Sequence, residues 1–127
     1  MGAQINMPEV TFGKEKRLLT AAAFQAVFAD THYKISHPNF LLLARPNRLS
    51  HSRLGMVVAK KNIRFSVDRN RVKRVARASF RLKQHNLTSL DIIFLVRRGM
   101  DKLSSKDQTD VLLTGWKKLH MKSCTLL

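Results

Sequence analysis

Acidic residues are scarce in this sequence. Eight Asp and Glu residues accompany 24 Lys and Arg residues, so the chain has a formal net charge of +16. Such an excess costs self-repulsion, and it is hard to explain unless the protein has an anionic partner. Nucleic acid is the first candidate for that partner, and a membrane surface is the second.

Long apolar runs and paired cysteines are also missing. No apolar stretch approaches the ~20 residues needed to span a bilayer. The N-terminus has no apolar segment after its charges of the kind that a secretory signal requires. Cys124 is the single cysteine, which excludes an internal disulfide. These absences favour a cytoplasmic protein with no membrane partner.

The residue combinations of a self-contained RNA-cleaving enzyme are absent as well. The eight acids form no D-x-D or E-x-D ligand pair, and the five histidines show no metal-ligand spacing with one another or with Cys124. There is no Walker A loop and no G-x-G-x-x-G motif. We therefore expect no catalytic residue and no metal site in this chain.

The sequence does contain enough apolar residues for a folded domain. With 127 residues, of which 44% are hydrophobic, we expect one domain over residues 1–127, with residues 1–17 as a mobile arm. Thr31 to Pro38 is interpreted as a turn or loop. The remaining pattern predicts the order α-β-β-α-β-α: a helix from Ala21 to about Asp30 capped by Thr20, a hairpin of strands Asn39 to Arg45 and Arg53 to Lys60, a helix from about Asp68 to Gln84, a buried strand from Asp91 to Arg97, and a last helix with a capping box at Ser105 and Gln108.

The highest density of positive charge lies between Lys60 and Lys83. This stretch has ten Lys or Arg residues and one acid, Asp68. Helical spacing divides its second half into two faces. The apolar face consists of Val72, Val75, Ala76, Ser79 and Phe80, and the opposite face consists of Asn70, Lys73, Arg74, Arg77 and Arg81. A rigid row of guanidinium groups suits repeated phosphates, because each offers a planar fork of donors.

Aromatic residues also lie among the cations. Phe24 and Phe28 are four residues apart and share a helix face, while Phe12 and Phe65 lie beside Lys and Arg residues. This combination suits single-stranded nucleic acid, whose bases stack on aromatic rings. From the residues alone, burial in the core is the somewhat better supported alternative, because a small domain needs its aromatic residues.

The run RNRVKR at residues 69–74, preceded by AKKN at residues 59–62, resembles the bacterial ribonuclease P protein subunit. The likeness extends over almost the whole chain. It includes RLLTAAAFQAVF at 17–28, FRLKQHNL at 80–87, the DIIFLVRRG strand and a Trp-Lys-Lys segment in the last helix. The version of the run found here is most similar to that of proteobacterial members.

The resemblance implies an α+β two-layer sandwich with a small mixed sheet, in the same α-β-β-α-β-α order. It also implies a left-handed crossover from the second strand through the basic helix to the third strand. General handedness rules would predict a right-handed connection. The left-handed form is therefore expected from the resemblance only.

The resemblance further implies a role as the protein subunit of ribonuclease P, an endoribonuclease in which an RNA subunit performs catalysis. The protein would assist removal of the 5′ leader from precursor tRNA, with magnesium held by the RNA. Its partners would be the ribonuclease P RNA and precursor tRNA, and we expect a monomer with one copy per RNA subunit. The alternative is a general basic RNA-binding or ribosomal protein without a role in tRNA cleavage.

Two RNA-facing surfaces follow from the resemblance. The surface for the RNA subunit would consist of Arg69, Asn70, Arg71, Lys73, Arg74 and Arg77. A cleft between the first helix and the sheet would bind the leader through Phe24, Phe28, Phe40, Lys60 and Lys61. Additional RNA contacts are expected from Phe12, Arg17 and Arg64. The chain departs from the family at Leu42 and Leu43, where members often have an aromatic residue.

Overall fold

The structure is a computed structural model that describes residue 17, residues 20–87 and residues 89–124. Its helices are α1 (Ala21–Ala29), α2 (Ser66–Lys83) and α3 (Ser105–Cys124). Its strands are β1 (Tyr33–His37), β2 (Phe40–Pro46), β3 (Arg53–Val57) and β4 (Leu90–Val96), and a 3₁₀ turn follows at Met100–Lys102. The order is therefore α-β-β-β-α-β-α, with one strand more than the sequence predicted.

The strands form one mixed sheet in the spatial order β1-β2-β4-β3. Strand β4 is antiparallel to β2 and parallel to β3, which confirms the predicted mixed sheet. The predicted hairpin between the strands that begin near Asn39 and at Arg53 is wrong, because β4 lies between β2 and β3. The apolar run of β4 predicted burial on both faces, and its central position provides that burial.

Strand β1 was predicted to be a turn or loop, and that prediction is wrong. Tyr33 and Ile35 are buried, and they alternate with the exposed residues Lys34 and Ser36. Strand β1 pairs with β2 from Tyr33 opposite Ala44 to His37 opposite Phe40, so only residues 38 and 39 form the turn between them. The period of two in the sequence YKISH was the available signal.

The main hydrophobic core lies between one face of the sheet and helices α2 and α3, as a two-layer sandwich requires. Trp116 of α3 is fully buried in this core, with its ring edge-on to Phe80 of α2 at a centroid distance of 5.6 Å. Trp116 Nε1 donates a hydrogen bond of 2.8 Å to Ser79 Oγ. This bond explains why a serine occupies the buried face of α2, because a buried indole N–H needs an acceptor.

Helix α1 packs on the opposite face of the sheet, which we call the α1 face. Val27 contacts Leu43 of β2 and Ile93 of β4 in a second, smaller core. The helix begins as predicted, because Thr20 Oγ1 accepts a hydrogen bond of 3.1 Å from the N–H of Ala23. Residues such as Val57 stay partly exposed beside the helix. The α1 face therefore retains accessible apolar surface.

The crossover loop, residues 58–65, connects β3 to α2. Ile63 is fully buried, and Asn62 Nδ2 donates a hydrogen bond of 2.9 Å to the Val96 carbonyl. Both contacts attach the loop to the body of the protein. Because β3 and β4 are parallel neighbours, the chain does make the crossover that the resemblance implied. Its left-handed sense stays a prediction.

The start of α3 differs by one residue from the predicted capping box. Ser104, not Ser105, accepts a hydrogen bond of 3.1 Å on its Oγ from the N–H of Asp107. Gln108 is buried and donates from Nε2 to the Met100 carbonyl at 2.9 Å. Gln108 therefore fixes the 3₁₀ turn against α3 and does not close a capping box.

Candidate nucleic-acid interface

Helix α2 has the two faces that its spacing predicted. Val72, Ala76, Ser79 and Phe80 are buried against the sheet and α3. The opposite side of the helix, which we call the α2 outer face, consists of five polar residues. Asn70, Arg74 and Arg81 are exposed, and Lys73 and Arg77 are half-buried. Asp68 lies in the first turn, where a carboxylate stabilises the helix dipole. The outward side of α2 is therefore a fixed cationic surface.

A concavity of about 440 Å³ lies beside this surface, lined by Arg17, Arg74, Arg77, Ala78 and Arg81. Arg17 reaches it because a β-bridge to Leu54 aligns this residue with β3. The pKa of Arg77 is lowered by burial and by the charges of Arg17 and Arg74. Mutual repulsion of this kind is relieved when an anion enters, so the concavity suits a phosphate group.

Two arginines of the RNRVKR run make hydrogen bonds inside the protein. Arg69 Nη1 donates to the carbonyls of Ile63 and Arg64, both at 2.9 Å. Arg71 Nη2 donates to the carbonyl of Asp101 at 2.9 Å. Arg69 therefore holds the crossover loop, and Arg71 holds the 3₁₀ turn. Contact of either residue with RNA stays a prediction.

The aromatic residues predicted for the leader lie on α1. Phe24 is half-buried against the small core, while Phe28, one turn later, is 45% exposed. The two rings share one side of the helix. Because both rings are only partly buried, part of each ring surface is accessible to another molecule.

Lys60 and Lys61 are exposed, as leader contacts would need to be. The predicted strand from Arg53 to Lys60 is too long, because β3 ends at Val57. The two lysines lie in a turn in which the Ala59 carbonyl accepts from the N–H groups of Asn62 and Ile63. They extend from the crossover loop rather than from the strand.

Phe40 does not lie in the cleft, and its predicted role there is wrong. It is 1% exposed and lies in the main core, with its ring 5.6 Å from that of Phe94. Because side chains alternate along β2, Leu41 and Leu43 point to the α1 face instead. Leu42 is buried with Phe40, so an aromatic residue there would also be inaccessible.

The structure adds one cation that the sequence analysis missed. Arg45 follows Leu41 and Leu43 on the α1 face, and its Nη2 lies 3.5 Å from Asp30 Oδ2. Its Nη1 donates to the Ala26 carbonyl at 3.3 Å, near the end of α1. Alternation along β2 was the signal that could have located it. Of the additional contacts, Arg64 is exposed, and Phe12 lies outside the described residues.

The described residues contain neither a metal-ligand cluster nor a membrane-spanning helix. No group of three or more His, Cys, Asp and Glu residues there is arranged to hold a metal ion. None of the described helices is both long and apolar enough to cross a bilayer.

Comparisons with known proteins agree on one family. The family model described as Ribonuclease P matches residues 12–120. The ribonuclease P protein component of Chromohalobacter salexigens is 46% identical over 114 residues, covering 90% of this chain and 89% of that protein. The corresponding component of Azotobacter vinelandii is 46% identical over 108 residues, covering 85% and 83%.

Solved structures give the same result at the level of the fold. The RNase P protein from Thermotoga maritima has a TM-score of 0.70 and 26% identity, covering 80% of this chain and 96% of that one. The Staphylococcus aureus RNase P protein has a TM-score of 0.73 and covers 88% and 98%. Its identity of 22% supports a shared fold only.

Proposed function

The chain belongs to the ribonuclease P protein family, and from that membership we propose that it assists a catalytic RNA in removing the 5′ leader from precursor tRNA. It is the protein subunit of the ribonucleoprotein and binds RNA. The observation that best supports this role is the position of the RNRVKR run on α2, with its exposed cations directed away from the core.

The α2 outer face contacts the RNA subunit in this proposal. Asn70, Lys73, Arg74 and Arg77 lie on accessible or half-accessible positions of one rigid helix, and Arg17 lies beside them. Guanidinium groups form bidentate hydrogen bonds with phosphate, and each such contact releases counterions condensed on the RNA. Arg69 and Arg71 support this surface chiefly by fixing the loop and turn on either side of it.

The α1 face takes the single-stranded leader. Phe24 and Phe28 offer ring surface for bases, and Lys60 and Lys61 supply charge for the phosphates. Stacking tolerates any base sequence, because every base has a π-face. One surface can therefore serve precursors whose leaders differ.

The chemistry is divided between the two subunits. The RNA subunit holds magnesium and cleaves, and the protein reduces repulsion between two polyanions and holds the leader in place. The protein acts in the cytoplasm as a monomer, with one copy per RNA subunit. A net charge of +16 opposes self-association.

The test is cleavage of precursor tRNA by the RNA subunit at low magnesium, with and without this chain. Addition of the chain should restore cleavage. Arg74→Glu should weaken the restoration, whereas Lys117→Glu, with the same charge change at an exposed position of α3, should retain it.

Two results would contradict the proposal. A general RNA-binding protein would bind the RNA subunit without restoring cleavage. A protein that cleaves precursor tRNA in the absence of the RNA subunit would show that the chemistry is not divided in this way.

A further inference from the structure

Phe65 is unusually accessible for an aromatic residue. Of the phenylalanines that the structure describes, it is the most exposed, at 58%, whereas Phe40, Phe80 and Phe94 are buried. Its neighbour Val67 is also exposed. A large ring left in water near the start of a helix gains little hydrophobic stabilisation, so the fold does not account for its presence.

Helix capping does not account for Phe65 either. The residue occupies the N-cap position of α2, where its side chain makes no capping hydrogen bond. Ser, Thr, Asp and Asn are strongly preferred at such a position, because their oxygen atoms accept from the first backbone N–H groups. Phe65 thus neither fills the core nor caps its helix.

The backbone that bears Phe65 is nevertheless held firmly. Arg69 Nη1 bonds to the two carbonyls that precede Phe65, those of Ile63 and Arg64. The buried side chain of Ile63 and the bond from Asn62 to the Val96 carbonyl attach the same loop to the sheet. A ring on a fixed backbone loses less conformational freedom on binding than one on a mobile loop.

Positive charge lies close to the ring. The Arg64 guanidinium carbon lies 5.4 Å from the Phe65 ring centroid, within the range of a cation–π contact. Lys60 and Lys61 are exposed in the same crossover loop. An apolar ring bordered by cations matches a nucleotide, whose base stacks while its phosphate meets the charge. It does not match an apolar protein surface, which would leave the cations without partners.

From these observations we propose that Phe65 is a stacking platform for an unpaired base of the catalytic RNA. This inference rests on the proposed function. The RNA subunit is the source of the base because Phe65 begins α2, whose outer face is the surface proposed for that RNA. Phe65 would add a contact with a base at the end of a surface that otherwise binds phosphates.

The experiment measures binding of the full chain to the RNA subunit, with folding of each variant checked by urea denaturation. Phe65→Ala should weaken binding about five- to hundred-fold, the usual loss for one stacked base, and Phe65→Tyr should restore it. Leu82→Ala removes another exposed apolar side chain of α2 and should leave binding within about twofold. The slope of log K against log salt should not change, because no charge is removed.

A spectroscopic measurement tests contact directly. Phe65→Trp should lose indole fluorescence when the RNA subunit binds, because a stacked base quenches it. The parent chain supplies the background, since its one tryptophan, Trp116, is fully buried.

Three outcomes would overturn the stacking platform. The first is parent-like affinity of Phe65→Ala for the RNA subunit. The second is an affinity loss that appears only with leader-bearing precursor, which would assign the base to the leader. The third is unquenched fluorescence of Phe65→Trp. If the parent chain itself fails to bind the RNA subunit or to restore cleavage, the proposed function fails instead.

Discussion

Arg69 and Arg74 belong to the same RNRVKR run, yet replacing Arg69 should chiefly lower stability, whereas replacing Arg74 should chiefly weaken RNA binding. Arg69 donates two hydrogen bonds of 2.9 Å to backbone carbonyls, one part-buried and one exposed. A hydrogen bond from a charged donor contributes about 1.5–3 kcal/mol, and less where water competes. Arg69→Ala should therefore lower the free energy of unfolding by about 2–3 kcal/mol, which corresponds to a melting temperature lower by about 10 °C.

Arg74 is exposed and makes no hydrogen bond among the described residues. Arg74→Ala should change the free energy of unfolding by no more than about 0.5 kcal/mol. If Arg74 contacts a phosphate of the RNA subunit, its loss should reduce the slope of log K against log salt by roughly 0.7 to 0.9. The two variants remove the same charge, so each serves as the control for the other.

The assay combines urea denaturation with titration of the RNA subunit at several salt concentrations. Arg69→Lys should recover only part of the stability, because an ammonium group lacks the planar fork that reaches two carbonyls. The reasoning would be refuted if Arg69→Ala were as stable as the parent and reduced the salt slope by a full contact. That result would make Arg69 a phosphate ligand rather than a support for the crossover loop.

Three further predictions concern the leader surface, the main core and the end of β1. Phe28→Ala should weaken binding of leader-bearing precursor but not of mature tRNA, with little change in melting temperature because the ring is 45% exposed; paired Kd measurements test this. Trp116→Phe leaves Ser79 Oγ without its buried donor and should lower the free energy of unfolding by about 1–3 kcal/mol in urea. The pKa of His37 is lowered from 6.5 by burial and by two nearby cations, and its Nδ1 accepts from the Asn39 N–H. The unfolded chain therefore binds more protons, so stability should fall as the pH drops below about 6.5, and urea midpoints of His37→Gln should show less of this fall.

Local periodicity explains the successful part of the sequence analysis. Helix α2 has an apolar stripe and a cationic stripe in one 3.6-residue repeat, so both its buried and its exposed residues could be assigned. The continuous apolar run of β4 likewise indicated burial on two faces. Each of these two patterns involves residues that are close to one another in the sequence.

Strand pairing depends on contacts between distant residues, which explains the errors. The hairpin was predicted because Asn39 to Arg45 and Arg53 to Lys60 are neighbours in sequence, but β4 enters between them from more than 30 residues later. Phe40 was assigned to the leader cleft from the resemblance to the family, but alternation along β2 places Phe40 in the main core and Leu41 and Leu43 on the α1 face. Arg69 and Arg71 looked equivalent to Arg74, since a sequence does not show which guanidinium reaches a backbone carbonyl.

The sheet places the two proposed RNA surfaces on opposite sides of the same strands. Helix α1 packs on one face of β2 and β4, and α2 packs on the other, so the surface proposed for the leader and the surface proposed for the RNA subunit are separate. The crossover loop passes from β3, whose Val57 borders the α1 face, to the first turn of α2. In the proposed arrangement, its cations lie between two polyanions that repel each other. A change that loosens this loop, such as Arg69→Ala, should weaken binding of both RNAs, whereas Phe28→Ala should weaken binding of the leader alone.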